Sequence, residues 1–468
     1  MLMEPYTLGS VNFPGIVSAR STGWAVSTDG GASFSDNGAI PPTTPANTTQ
    51  GDAGDPVMAR DTGNGTIYLL TNPSRESSTW GGFRLWKSTD NGQSFTLINT
   101  AVPSVVTTAD KPMIAVNNFS GLSTSGNLYA VGTASLNGTR GVTVARSANA
   151  GVTWIDVAGF EANSHGADLC IGPDGTVYVF YIVNTLVNST NQVSLKYSWR
   201  RIVDGGWNGP LTISAHPDST PLYSVNGGAS GNPKRSNSAS ADDYFVSNAF
   251  PRVAVNPING RIYLVYADLP FPGSSTDRGD IFINEGVPQG DGSLNWTAVR
   301  KVNNDGTATD QWNPSVAIIP TGTQLFVGYY SRQGDPSNNA LIKAYGAKSN
   351  LTNGFATATF DVFPISATAF PPLFPGTSTP PQNIWMYDHI WLQGGVCLDS
   401  NAMVVNPCPP NPFWTSGFEY QHFMADDYTW VTTDGSYFYF AWCDRSDTFY
   451  SGSNSRPDPN IRLGKIRQ

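Results

Sequence analysis

Four carboxylates, Asp388, Glu419, Asp427 and Asp444, stand in or beside one irregular stretch of the C-terminal third of the chain. With them come Trp385, Trp391, Tyr420 and His422, while Arg252, Arg332 and Arg445 follow or precede short apolar runs. Aromatic faces beside acids suit sugar rings, whose C–H faces stack on Trp and Tyr while their hydroxyls bond to carboxylates and amides. A pair of such carboxylates, one protonated and one ionised, is also the machinery of glycoside hydrolysis. The bland alternative is equally concrete: a sixty-residue loop needs a small core of its own, and acids and arginines at strand ends can be buried pairs.

Positioning these groups requires a scaffold, and three octets show its period. Ser27-Thr-Asp29-Gly-Gly31-Ala-Ser-Phe34, Ser88-Thr-Asp90-Asn-Gly92-Gln-Ser-Phe95 and Ser147-Ala-Asn149-Ala-Gly151-Val-Thr-Trp154 share Ser, Asp or Asn, Gly, and Phe or Trp at fixed offsets. Their central residues are 61 and then 59 positions apart, so a unit of about sixty residues recurs, as in stacked or radially repeated folds. Asp or Asn can accept backbone N–H groups just downstream, and the Gly supplies the positive φ of a tight turn. The octet resembles the Asp-box, or bacterial neuraminidase repeat, of sialidase-like β-propellers. That resemblance implies a structural role for Asp29, Asp90 and Asn149, at the hairpin between the third and fourth strands of a blade.

A second module alternates with the octets: a short apolar strand, a Gly-containing turn, and a strand of aromatic and β-branched residues. It begins at Asp55, Lys111, Ala167, Pro251, Pro314 and Tyr428. Six copies predict an all-β, six-bladed β-propeller spanning residues 1–468 as a single domain. The first octet precedes every module, so the N- and C-terminal strands are expected to complete one shared blade and close the ring, a seventh degenerate blade being the alternative. Long insertions at about 213–249, 363–426 and 445–459 are expected on the face opposite the octets, where a scaffold carries its site. There the strand-end acids and arginines either line the channel mouth or tie neighbouring blades together.

Resemblance to the sialidase superfamily implies three arginines for a substrate carboxylate, a Tyr–Glu nucleophile and an Asp acid/base. The first arginine of that set lies in an Arg-Ile-Pro tripeptide that this chain lacks; Phe13-Pro-Gly-Ile16, with Arg20 beyond, is the nearest segment. Glutamate is confined to Glu4, Glu76, Glu161, Glu285 and Glu419, and only Glu419, beside Tyr420, falls on the insertion-bearing face. The catalytic set is therefore not carried over residue by residue. Three readings remain: a propeller binding glycan or surface protein, an exo-acting glycoside hydrolase, and a structural subunit that self-associates.

Composition narrows the class. Of 468 residues, 13% are charged and the net charge is -9, which argues against a nucleic-acid partner, whose phosphates would demand a basic face. No apolar run reaches the length of a membrane span, and Met1-Leu2-Met3-Glu4-Pro5 is too short and polar for a signal peptide. Cys397 and Cys408 share one irregular segment and could close a small loop, which would imply an oxidising compartment, whereas Cys170 and Cys443 fall in strands as buried thiols. The expected location is secreted or cell-surface. No cofactor or metal is expected: Asn303-Asn304-Asp305-Gly306 offers oxygens to calcium but lacks a dedicated loop spacing, and it reads as a solvated turn.

Overall fold

The computed structural model describes residues 2–5, 22–41, 54–73, 81–187, 190–213, 250–268, 279–306, 309–333, 343–366, 383–386, 389–392, 396–398, 404–405, 429–451 and 454–468. Among them the side chains of 2–5, 39, 184–187, 190–192, 383–405, 443–451 and 454–461 are not described.

Six antiparallel sheets follow the six modules and form a six-bladed β-propeller. The inner strands are Val57–Arg60, Val106–Val116, Ser164–Ile171, Arg252–Val255, Gln311–Ile318 and Trp430–Thr433. Second strands such as Ile262–Asp268 are buried along their whole length. A blade has a neighbour on either side, so its middle strands read as unbroken apolar runs instead of alternating. Two large apolar clusters, one running from the third to the sixth blade and the other from the first to the third, hold the ring together.

The octets build their own turns. Asp29 Oδ1 accepts the N–H of Ala32 and of Ser33, and Ser27 Oγ accepts from Gly31 N at 2.8 Å. Asp90 repeats this with Ser94 N at 3.0 Å, and Asn149 with Thr153 N at 2.9 Å. Gly92 and Gly151 sit at φ 87° and 88°, a region closed to most side chains. These turns, and the turn of every inner hairpin, lie at one end of the blades; the chain enters each inner strand from the other end.

Closure differs in detail from a shared blade. Leu2–Pro5, Thr22–Val26 and Ser35–Ala39 pair only with one another, and Asn454–Arg467 pairs only with Tyr437–Ser451. The N-terminal sheet is wedged between the sixth and first blades. On one side Lys465 Nζ donates to Gly30 O at 2.9 Å and Leu463 packs near Gly31 and Phe34. On the other, Trp24 Nε1 donates to Gly92 O at 2.9 Å and Trp86 Nε1 to Pro41 O. The chain ends thus meet through side chains, without a common ladder. Residues 445–451 and 454–459, expected within an insertion, continue the second and third strands of blade six, with Asp447 opposite Asp458 and Ser451 opposite Asn454.

Candidate functional site

Polar residues gather at the end of the channel away from the octets because the inner strands carry a repeated irregularity there. Registers slip between Asp110 and Met113, between His165 and Asp168, and between Trp312 and Ser315. The residues at the slips, Lys111, Gly166 and Asn313, have φ of 55°, 61° and 48°, and Asp55 at the entrance of blade one has φ 51°. A bulge re-aims the side chains beside it, and positive φ at Asp, Lys and Asn stores strain of the kind found at functional sites. Asp55 and Lys111 each precede a proline in the sequence, a signal that could have marked the mouth.

Between the first two blades, Asn72 Nδ2 donates to Asp55 Oδ2 at 2.8 Å and to Asp110 Oδ1 at 3.3 Å. Lys111 Nζ lies 3.5 Å from Asp55, and Arg140 lies 3.7 Å from Asp110.

Between the third and fourth blades, Asp168 accepts from Leu169 N at 2.8 Å through Oδ1 and from Val253 N at 3.0 Å through Oδ2. Burial pushes its carboxyl up to about 6, while the Arg252 charge and the two N–H groups pull the other way. Arg252, itself buried, lies over the ring of Trp430 at 5.6 Å. Arg252 belongs to blade four and Trp430 to blade six, so this cation–π contact crosses the axial channel. His165 Nδ1 pairs with Thr133 Oγ1 at 2.5 Å, edge-on to Phe250.

Blade five supplies a buried ion pair. Arg332 Nη1 and Asp310 Oδ2 are 3.1 Å apart, both side chains almost wholly out of water, and the guanidinium stands over Trp312. Beside it, Lys301 Nζ meets Asp280 Oδ1 at 2.6 Å. Asn303 Nδ2 reaches Asp280 Oδ1, Asp305 Oδ1 and Gln311 Oε1. The solvated-turn reading of Asn303 is corrected here: its side chain is buried because it bridges three chain segments, with Oδ1 accepting from Ile281 N. Among the described residues no group of three or more His, Cys, Asp or Glu is arranged to hold a metal ion.

Of the residues singled out from sequence, Arg252 and Arg332 are at this mouth, each engaged with an aromatic ring and an acid. Asp444 and Arg445 lie on the second strand of blade six, Asp444 opposite Asn460. Trp385 pairs with Ile390 and Trp391 with Cys397 in a small sheet of four short strands. Asp388, Glu419, Tyr420, His422, Asp427 and Cys408 lie outside the described residues. Cys170 is a buried free thiol whose pKa burial raises. Asp168, Asp310, Lys111 and Trp430 were not anticipated as site residues.

One buried Tyr–Glu pair exists among the described residues, Tyr263 Oη donating to Glu285 Oε1 at 2.9 Å, with Arg261 on the other oxygen. It sits toward the octet end of blade four. Burial, and then Glu285, drive the Tyr263 pKa upward, the opposite of an activated nucleophile.

The class defined by these sheets is the six-bladed β-propeller. The chain matches no protein-family model and no curated protein. Among solved structures it is similar in fold to a protein of unknown function from Dyadobacter fermentans, at 12% identity over 89% of this chain and 94% of that one, TM-score 0.43. It is also similar to the Penicillium chrysogenum α-L-arabinanase complexed with arabinobiose, at 11% identity over 66% and 92%, TM-score 0.39. A third is the intramolecular trans-sialidase of Ruminococcus gnavus in complex with oseltamivir carboxylate, at 10% over 69% and 85%, TM-score 0.39.

Proposed function

We propose that the chain is a secreted or cell-surface propeller that binds a glycan, or a glycan-bearing surface protein, at the channel end away from the octets, without the sialidase catalytic set. The observation that carries this reading is how the described acids at the mouth are engaged. Asp168 spends both oxygens on backbone N–H groups, Asp310 is held by Arg332, and Asp280 by Lys301 and Asn303. A general acid must release its proton to a leaving group, and a nucleophile must be free to attack. Carboxylates held in this way instead fix a rigid rim of N–H, amide and cationic groups, which suits recognition of hydroxyls.

A glycoside hydrolase reading draws support from the raised pKa of Asp168, with partners sought among Asp388, Glu419, Asp427 and Asp444. One experiment separates the two. The protein is titrated against a panel of oligosaccharides by calorimetry, and turnover of chromogenic sialosides and neutral glycosides is followed with wild type and Glu419→Gln. Saturable binding without turnover is the expected result. Turnover by wild type that Glu419→Gln abolishes would replace binding with hydrolysis, and neither binding nor turnover would remove the glycan assignment altogether.

A further inference from the structure

Arg84 is the second residue of the third strand of blade one, Phe83–Ser88, at its mouth end. Its neighbours fix where it points. Phe83 reaches Gly132 and Leu85 reaches Gly151, both of blade two, whereas Trp86 packs with Trp24, Val26 and Ile40 of the N-terminal sheet. Side chains alternate along a strand, so Arg84 shares the side of Trp86 and faces the closing seam. It is 8% exposed. Among the described residues its one hydrogen bond is from Nη1 to Gly82 O at 3.2 Å, and its buried Nε meets no acceptor there.

Every other strongly buried arginine with a described partner at the mouth has an acid beside it: Arg332 has Asp310 and Arg252 has Asp168. Among the described residues no carboxylate pairs with Arg84, and burial alone lowers its pKa, with no charge opposing. An uncompensated buried guanidinium is strongly unfavourable, and its planar fork matches an oxyanion in two-pronged fashion. Gly81 lies beside the group: a Cβ there would stand 3.9 Å from Arg84 Nη1, at ordinary van der Waals distance.

We propose that Arg84 anchors an oxyanion-binding site at the seam between the N-terminal sheet and the first blade, taking a single carboxylate, sulfate or phosphate group of a ligand. This goes beyond recognition of hydroxyls at the channel mouth and does not depend on it. With a net charge of -9 the molecule as a whole repels anions, so recognition rests on local contacts at Arg84 and not on a general basic field.

The test is thermal unfolding of the full chain in sodium glucuronate, sodium sulfate or sodium phosphate, against sodium chloride at matched ionic strength. Wild type is expected to show a saturable rise of a few degrees with at least one of the three oxyanions, and the one that works identifies the source. Arg84→Met, which keeps the volume and removes the charge, should lose that rise and unfold no earlier than wild type in chloride. Arg84→Lys, which keeps the charge without the fork, should need several-fold more anion. The proposal is overturned by no rise in wild type with any oxyanion, by an equal rise in Arg84→Met or Arg84→Lys, or by Arg84→Met unfolding well below wild type in chloride.

Discussion

Replacing Asp168 with Asn should flatten the pH dependence of stability. The carboxyl stands at about 6 in the folded protein against 3.8 for the unperturbed group. A folded pKa above the unfolded one means that folding favours the protonated form. The associated stability is therefore fully present below about pH 4 and is lost as pH rises through 6. A shift of about two units corresponds to about 3 kcal/mol, an order-of-magnitude figure for a group this deeply buried. Asn cannot ionise, so that contribution disappears. It also turns one amide donor toward Leu169 N or Val253 N, a loss of about 1–3 kcal/mol present at every pH. Urea unfolding of both proteins between pH 4 and 7.5 isolates the effect, since all other titrating groups cancel in the difference. The deficit of Asp168→Asn relative to wild type should be largest at pH 4 and shrink by about 3 kcal/mol at neutrality. Parallel curves across that window would refute the argument that burial outweighs Arg252 and the two N–H bonds.

Two further outcomes follow from the same geometry. Asp90, held down to about 2 by Ser88 and Ser94, contributes stability that is present above pH 4 and lost as pH falls toward 2. Asp90→Asn should copy Asn149, whose Nδ2 donates to Thr153 Oγ1 at 2.9 Å, leaving the melting temperature near neutral pH almost unchanged while removing part of the acid lability; a large loss at pH 7 would contradict this. Asp310→Ala takes the acid from the buried guanidinium of Arg332 and should destabilise by about 3–5 kcal/mol in chemical denaturation, whereas a change below about 1 kcal/mol would show that the guanidinium is held without Asp310.

What could be read in one dimension was whatever the chain settles with its near neighbours. In each octet the hydrogen bonds that downstream N–H groups donate to the Ser and to the Asp or Asn span no more than four residues. Ser27-to-Phe34 and its two echoes therefore spelled out the turn, and their spacing spelled out the blade. The same holds for buried strands such as Ile262–Asp268, whose apolar run announces a neighbour on both faces. The mouth was less legible. Arg252 and Arg332 stood out as strand-end cations, but nothing local could say which acids they meet.

Assembly of the ring decided those partners. Val253 N finds Asp168 from 85 positions away and Thr429 Oγ1 finds Asn313 O from 116. Arg252 finds Trp430 because two non-adjacent blades face one another across the axis. Such contacts depend on how the blades close the circle and on single-residue slips in their inner strands, and partners this far apart along the chain leave no local pattern that pairs them. Arg84 illustrates the same limit: its place in a strand before an octet is plain from sequence, while its burial at the seam follows from the N-terminal sheet forming a ladder of its own instead of joining the last blade.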